Sequence, residues 1–209
     1  MKTIFTSSYL FFCLLLACDV TFDKPYLKKD SIDNLQLPEY EKFILQNKIV
    51  EYGLPRDTLI DMYGEPDREI NKPGDTTRDI PIMAHDIFVY QDLMALHLKK
   101  DKVCWFGYRD DDFAANQKEL LIKFRELYEN YILEKLQVKF NELPVVLKTK
   151  TKTEITSLLN YYRIRYPTFY QFFFKSGIVN VYFDKDKITV KNIRIKNYYD
   201  IEDIEEDEK

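Results

Sequence analysis

Met94, Leu96 and Leu98 alternate with Ala95 and His97, the two-residue period of a strand with one buried face. The same pattern returns further along the chain. Residues 87–103 align without a gap on residues 172–188, an offset of 85, and eight of the 17 pairs are apolar on both sides. Among them are Met94/Val179, Leu96/Val181, Leu98/Phe183 and Val103/Ile188, and the turn Lys100-Asp101-Lys102 recurs as Lys185-Asp186-Lys187. A helical pattern precedes each block. Recurrence of order, spacing and turn is the mark of a duplicated supersecondary unit, so the chain has to bury one helix-plus-sheet face twice. The competing explanation is two unrelated hairpins that share a charged turn. The expected fold is α+β, with two tandem helix-then-three-stranded antiparallel sheet units behind an export leader.

Local signals place the elements. Pro38 opens a segment with Tyr40, Phe43, Ile44 and Val50 that reads as a short helix stopped at Gly53. A second short helix is expected over 55–63, with Leu59, Met62 and Tyr63 on one face and Gly64 ending it. Residues 67–85, with two prolines and a glycine, read as a long loop. Strands are expected at 87–90, 94–98 and 103–108. The longest helical pattern, 114–137, carries Leu120, Phe124, Leu127 and Tyr131 on one stripe. A helix at 151–162 and strands at 169–174, 178–183 and 188–195 complete the second unit. The expected divisions are a leader at 1–17, a tether at 18–35, units at 36–112 and 113–199, and an acidic tail at 200–209.

The amino terminus carries an address. Lys2 is followed by an apolar stretch too short to span a bilayer core, which needs about 20 residues. It ends in Leu15-Leu16-Ala17-Cys18, which resembles the lipobox of bacterial lipoproteins. The resemblance implies cleavage between Ala17 and Cys18, diacylglycerol and palmitate-type acylation of Cys18, and a membrane contact made by N-terminal acyl chains. Several chains exceed the threshold for stable anchoring. The implied location is the cell envelope, on either the inner or the outer membrane. A plain secretory leader with a coincidental cysteine is the alternative.

The segment Gly53-Leu54-Pro55-Arg56-Asp57-Thr58-Leu59-Ile60-Asp61-Met62-Tyr63-Gly64-Glu65-Pro66 resembles the signature of the BamE (SmpA/OmlA) family of small outer-membrane lipoproteins. Gly53, Leu59, Met62, Tyr63, Gly64 and Pro66 fill that pattern: a glycine, a short helix, then a closing glycine and a proline one residue on. The resemblance implies a helix–sheet unit over roughly 50–108. A tandem arrangement of such units is similar to the plan of the β-lactamase-inhibitor protein, a secreted binder.

Charge and cysteine content narrow the function. The chain holds 31 basic and 35 acidic side chains, and the tail 200–209 contributes seven acids against one base. Residues 18–199 are therefore close to neutral, which argues against a nucleic-acid partner. After the leader leaves, Cys18 is the anchor and Cys104 stands alone, a small hydrophobe beside Trp105. No phosphate-binding glycine loop, HExxH, CxxC or Gly-x-Ser-x-Gly pattern occurs. Asp110-Asp111-Asp112 reads as a helix cap with first-turn acids, not a calcium loop. His85 and His97 read as a loop-edge and a sheet-surface residue. No catalytic residue, metal ligand or cofactor is expected.

The aromatic band Tyr161, Tyr162, Tyr166, Phe169, Tyr170, Phe172, Phe173 and Phe174 is longer than one sheet face can bury. Core packing accounts for part of it. Tyr161, Tyr162, Tyr166 and Tyr170 are the candidate partner-binding residues. The expected function is a lipid-anchored, non-catalytic envelope protein that binds another envelope protein. The alternatives are an inhibitor-type binder of an enzyme or toxin and a small-ligand or lipid-binding domain.

Overall fold

The computed structural model describes residues 32–33, 35–74, 84–90, 93–186 and 188–197. The expected leader, the lipobox-like residues 15–18 and the acidic segment 200–209 lie outside the described residues. Two short helices, α1 (Glu39–Gln46) and α2 (Arg56–Tyr63), precede β1 (Arg68–Lys72), β2 (His85–Tyr90), β3 (Met94–Lys99) and β4 (Lys102–Tyr108). The long helix α3 (Asp111–Leu136) then leads through a 3-10 turn to α4 (Leu143–Lys148) and α5 (Lys152–Leu158). The strands β5 (Arg163–Tyr166), β6 (Phe169–Phe173), β7 (Gly177–Phe183) and β8 (Val190–Asn197) follow. Each set of strands forms one antiparallel sheet in sequential order, β1-β2-β3-β4 and β5-β6-β7-β8.

Helix ends obey their chemistry. The Asp110 side chain accepts from the Phe113 N–H at 2.6 Å, with Asp111 and Asp112 in the positive first turn, so the aspartate run caps α3. Thr151 and Glu154 form a reciprocal capping box on α5. Gly64 ends α2 at φ 82°, a conformation that suits glycine.

The fold class is α+β, but the sheets have four strands each rather than three. The additional strands are β1, in the segment read as a loop, and β5, just after the expected helix at 151–162. That helix ends at Leu158. Both extra strands are short and polar, with burial confined to Ile70 and Ile164, so neither shows a hydrophobic alternation long enough to read. Of the expected tether at 18–35, residues 32, 33 and 35 are described. Ile32 is buried, and Asp33 accepts from Lys42 Nζ at 3.1 Å and Gln46 Nε2 at 2.5 Å.

Registers refine the internal repeat. Met94, Leu96 and Leu98 do occupy the same inward positions as Val179, Val181 and Phe183. However, Tyr90 pairs with Met94 and Phe88 with Leu96, whereas Phe172 pairs with Val179 and Tyr170 with Val181. Six residues thus separate Phe172 from Val179 where three separate Tyr90 from Met94, and the odd difference exchanges the faces of β6 relative to an ungapped alignment. Leu98 pairs with Val103 but Phe183 pairs with Val190, so Val190 and not Ile188 is the counterpart of Val103; Ile188 is exposed. The correspondence extends to detail. A register shift falls between His97 and Leu98 and again between Tyr182 and Phe183. The first residue of α2, Arg56, donates its N–H to Asp101 O, and the first residue of α5, Lys152, donates to Ile188 O. Their cationic groups lie 4.8 Å from the Phe88 ring and 4.3 Å from the Tyr170 ring, at equivalent positions of the two sheets.

One continuous core joins the units. The inward residues of both sheets meet Tyr40 and Ile44 of α1, Leu59 and Met62 of α2, Phe124 and Tyr128 of α3, and Ile155 of α5. The buried line on α3 is Gln117, Leu121, Phe124, Tyr128 and Ile132. Leu120, Leu127 and Tyr131 of the expected stripe are only half-buried flanks. Polar members at 117, 128 and 129 disguised the inward face.

Candidate functional site

Strand alternation divides the aromatic band between two faces. Tyr170 and Phe172 point into the core while Phe169, Gln171 and Phe173 lie on the opposite, outer face of the second sheet. Tyr161 is buried among the rings of Tyr40, Phe124 and Tyr128, and burial drives its hydroxyl pKa far above the usual range. Tyr162 is half-buried, stacked on Tyr170 at 5.1 Å with Lys102 Nζ 4.9 Å from its own ring centre; burial pushes its pKa up to about 12. Three of the four tyrosines singled out by composition therefore serve the inner side. Burial in the helix layer removes Tyr161 and Tyr170 from any exposed surface. Tyr166, 43% exposed, is the one on the outer face.

That outer face is organised in rows set by the register. Arg163, Gln171, Asn180 and Arg194 stand side by side across all four strands, and Gln171 Nε2 donates to Asn180 Oδ1 at 2.9 Å. Tyr166, Phe169, Tyr182 and Asn192 form the next row. Phe173, Ile178 and Lys196 form a third, whose Phe173 end is covered by Tyr52, stacked at 4.7 Å, and by Arg125, 4.9 Å from the ring centre. In the second row the rings stack on one another: Tyr166 on Phe169 at 6.3 Å, and Phe169 on Tyr182 at 4.5 Å with planes 5° apart. The Arg194 guanidinium caps this column, 5.8 Å from the Tyr182 centre. Arg165 occupies the irregular position between Ile164 and Tyr166 and is exposed.

Electrostatics make the face one-sided. Strands β5 to β8 contain Arg163, Arg165, Lys191, Arg194 and Lys196 and no carboxylate. Among the described residues no carboxylate lies within ion-pairing distance of these five side chains. Arg163 has a structural task at the junction of the sheets. Its Nε donates to Cys104 O on β4 at 3.2 Å, and its guanidinium lies 5.1 Å from the Tyr52 ring. Sequence reasoning named neither these arginines nor Tyr182. The readable signal was the absence of any Asp or Glu between Glu154 and Asp184.

Two other places carry polar side chains. On the outer face of the first sheet His85 stacks on His97 at 5.1 Å, and His97 meets Trp105 at 4.8 Å. Burial, then the neighbouring His85 and Lys99 charges, lower the His97 pKa. Between the units a cleft of about 370 Å³ is lined by Leu37, Glu41, Ile44, Lys102, Asn160 and Tyr161, among others, and burial lowers the Lys102 pKa. Cys104 is buried, and burial raises its thiol pKa. Among the described residues no group of three or more His, Cys, Asp or Glu side chains could hold a metal ion. No described helix is long and apolar enough to cross a membrane.

Comparison with protein-family models, with curated proteins and with solved structures finds no match.

Proposed function

We propose that this chain is a lipid-anchored, non-catalytic binding module of the cell envelope that engages another protein through the outer face of its second sheet. The observation that carries the reading is the composition of that face: an ordered aromatic row beside Arg165 and Arg194, which have no carboxylate partner among the described residues. Tyrosine, phenylalanine and arginine are the residues enriched at protein interfaces. The rigid sheet holds them in place before binding, which lowers the ordering cost of association. The lipobox supports an anchor at Cys18, and confinement to a membrane raises the local concentration of a surface that acts by complementarity.

An inhibitor-type binder of an enzyme or toxin is the second reading, favoured by the repeated unit of short helices followed by a four-stranded meander. It differs in its target, a soluble enzyme whose activity falls on mixing. The small-ligand alternative, expected around residues 67–85, would use the cavity of about 640 Å³ lined by Lys72, His85 and Asp101, among others.

Two experiments test the proposal. Cys18→Ala should abolish incorporation of labelled fatty acid and release the protein from membranes; unchanged labelling refutes the anchor. A photoreactive residue at Tyr166 should yield discrete protein adducts in cells, while one at Val145, 74% exposed on α4, should not. Equal adducts at both positions, or none at Tyr166, refute the assignment of the face.

A further inference from the structure

Resting on the protein-binding reading above, we propose that the outer face of the second sheet docks an extended acidic segment of a partner polypeptide, with carboxylates spaced to meet the two margins of the sheet. Arg165 marks one margin on β5, while Arg194 and Lys196 mark the other on β8. Between them lie the half-buried Gln171 and the stacked rings of Phe169 and Tyr182, while Asn180, bonded to Gln171, is itself buried. Adjacent strands are about 4.8 Å apart, so the margins of four strands are separated by about 14 Å. An extended chain covers that span in about four residues. The fitting ligand is therefore a segment with acids at both ends of a short neutral stretch, crossing the strands.

The chemistry of the face selects this ligand among anions. Arginine presents a planar fork that pairs with carboxylates in two parallel hydrogen bonds. Arg165 and Arg194 are exposed, and neither has a carboxylate partner among the described residues. Single-stranded nucleic acid needs open ring faces on which bases can stack. Here Phe169 stacks on both Tyr166 and Tyr182, and Arg194 lies over Tyr182, so within the row only Tyr166 keeps a ring face that is not engaged. A lipid surface is best met by apolar side chains that protrude, and Phe169, Phe173 and Tyr182 are only partly exposed.

The test uses the full chain and three probes. These are a fluorescein-labelled peptide Glu-Glu-Thr-Ser-Thr-Glu-Glu, an oligothymidylate of similar charge, and vesicles rich in phosphatidylglycerol. The expected result is saturable binding of the peptide that is lost in about 0.5 M salt. The double variant Arg165→Glu/Arg194→Glu should weaken it about tenfold or more with an unchanged circular-dichroism melt. If that variant unfolds, Arg165→Gln/Arg194→Gln is measured and should weaken binding about threefold or more. Peptide binding unaffected by the variants, no peptide binding, or oligothymidylate or vesicle binding as tight as that of the peptide each overturn the proposal. So does peptide binding that emerges only after residues 200–209 are removed, since the face then belongs to this chain's own acidic segment. If the peptide fails while Tyr166 still cross-links a protein in cells, the acidic assignment falls and the protein-binding reading stands.

Discussion

The buried pair Glu51–Arg125 should be the strongest single electrostatic tie between the two units. Glu51 is 1% exposed, and its carboxylate accepts from Arg125 Nε at 2.5 Å, from Arg125 Nη2 at 3.0 Å and from the Tyr52 N–H at 2.8 Å. The arginine is further held over the Phe173 ring at 4.9 Å. Glu51 lies between α1 and α2, whereas Arg125 sits on α3, 74 residues away. Replacing Arg125 with methionine keeps much of the packing but leaves a buried carboxylate with one backbone donor. The expected cost is about 3–5 kcal/mol. For a domain of this size that lowers the melting temperature by about 6–20 °C. Removing both charges in Glu51→Leu/Arg125→Met should recover most of the loss, leaving about 1–2 kcal/mol for the orphaned Tyr52 N–H. Urea unfolding followed by circular dichroism would measure the wild type, Arg125→Met, Glu51→Leu and the double variant. If Arg125→Met costs less than about 1 kcal/mol, or if the two substitutions simply add, the pair is not coupled as the geometry implies.

Three further outcomes are expected. Gly53 has φ 84°, and a Cβ there would sit 2.5 Å from Tyr162 N, so Gly53→Ala should cost about 2–4 kcal/mol; a neutral urea midpoint refutes that contact between the units. The Tyr108 hydroxyl is buried with no partner among the described residues, so Tyr108→Phe should raise stability by about 1 kcal/mol, and a comparable loss would reveal a hidden partner. Because the folded-state pKa of His97 is lowered, the unfolded chain binds the proton more readily, so stability is full above about pH 6.5 and declines as pH falls through the lowered pKa. His97→Gln should flatten this decline between pH 7.5 and pH 5, and an unchanged slope would remove His97 as its source.

Much of the architecture was legible because it rests on short-range periodicity. The alternation at Met94, Leu96 and Leu98 and its return at Val179, Val181 and Phe183 identify the central strand of each sheet, since a two-residue period leaves little choice of inward side chain. The Asp110 cap and the Gly64 stop were equally local. Strands β1 and β5 were not legible. They bury little, and their pairing with β2 and β6 depends on backbone hydrogen bonds that any sequence can supply. The candidate tyrosines show the same limit. Aromatic density announced that two faces were involved, yet assignment of Tyr170 to the core and Tyr166 to the surface hinges on the length of the turn before β7 and the irregularity at Arg165.

Residue order alone thus dictated an α+β chain with alternating central strands, because hydrophobic period and turn chemistry act over a few neighbours. Tertiary structure decided which side of the second sheet carries Arg165 and Arg194, how Gly53 fits against Asn160–Tyr162, and that Glu51 meets Arg125. Those outcomes depend on register parity and on contacts between residues far apart in the chain. No local pattern encodes them, since each needs both partners to be placed before their distance has meaning.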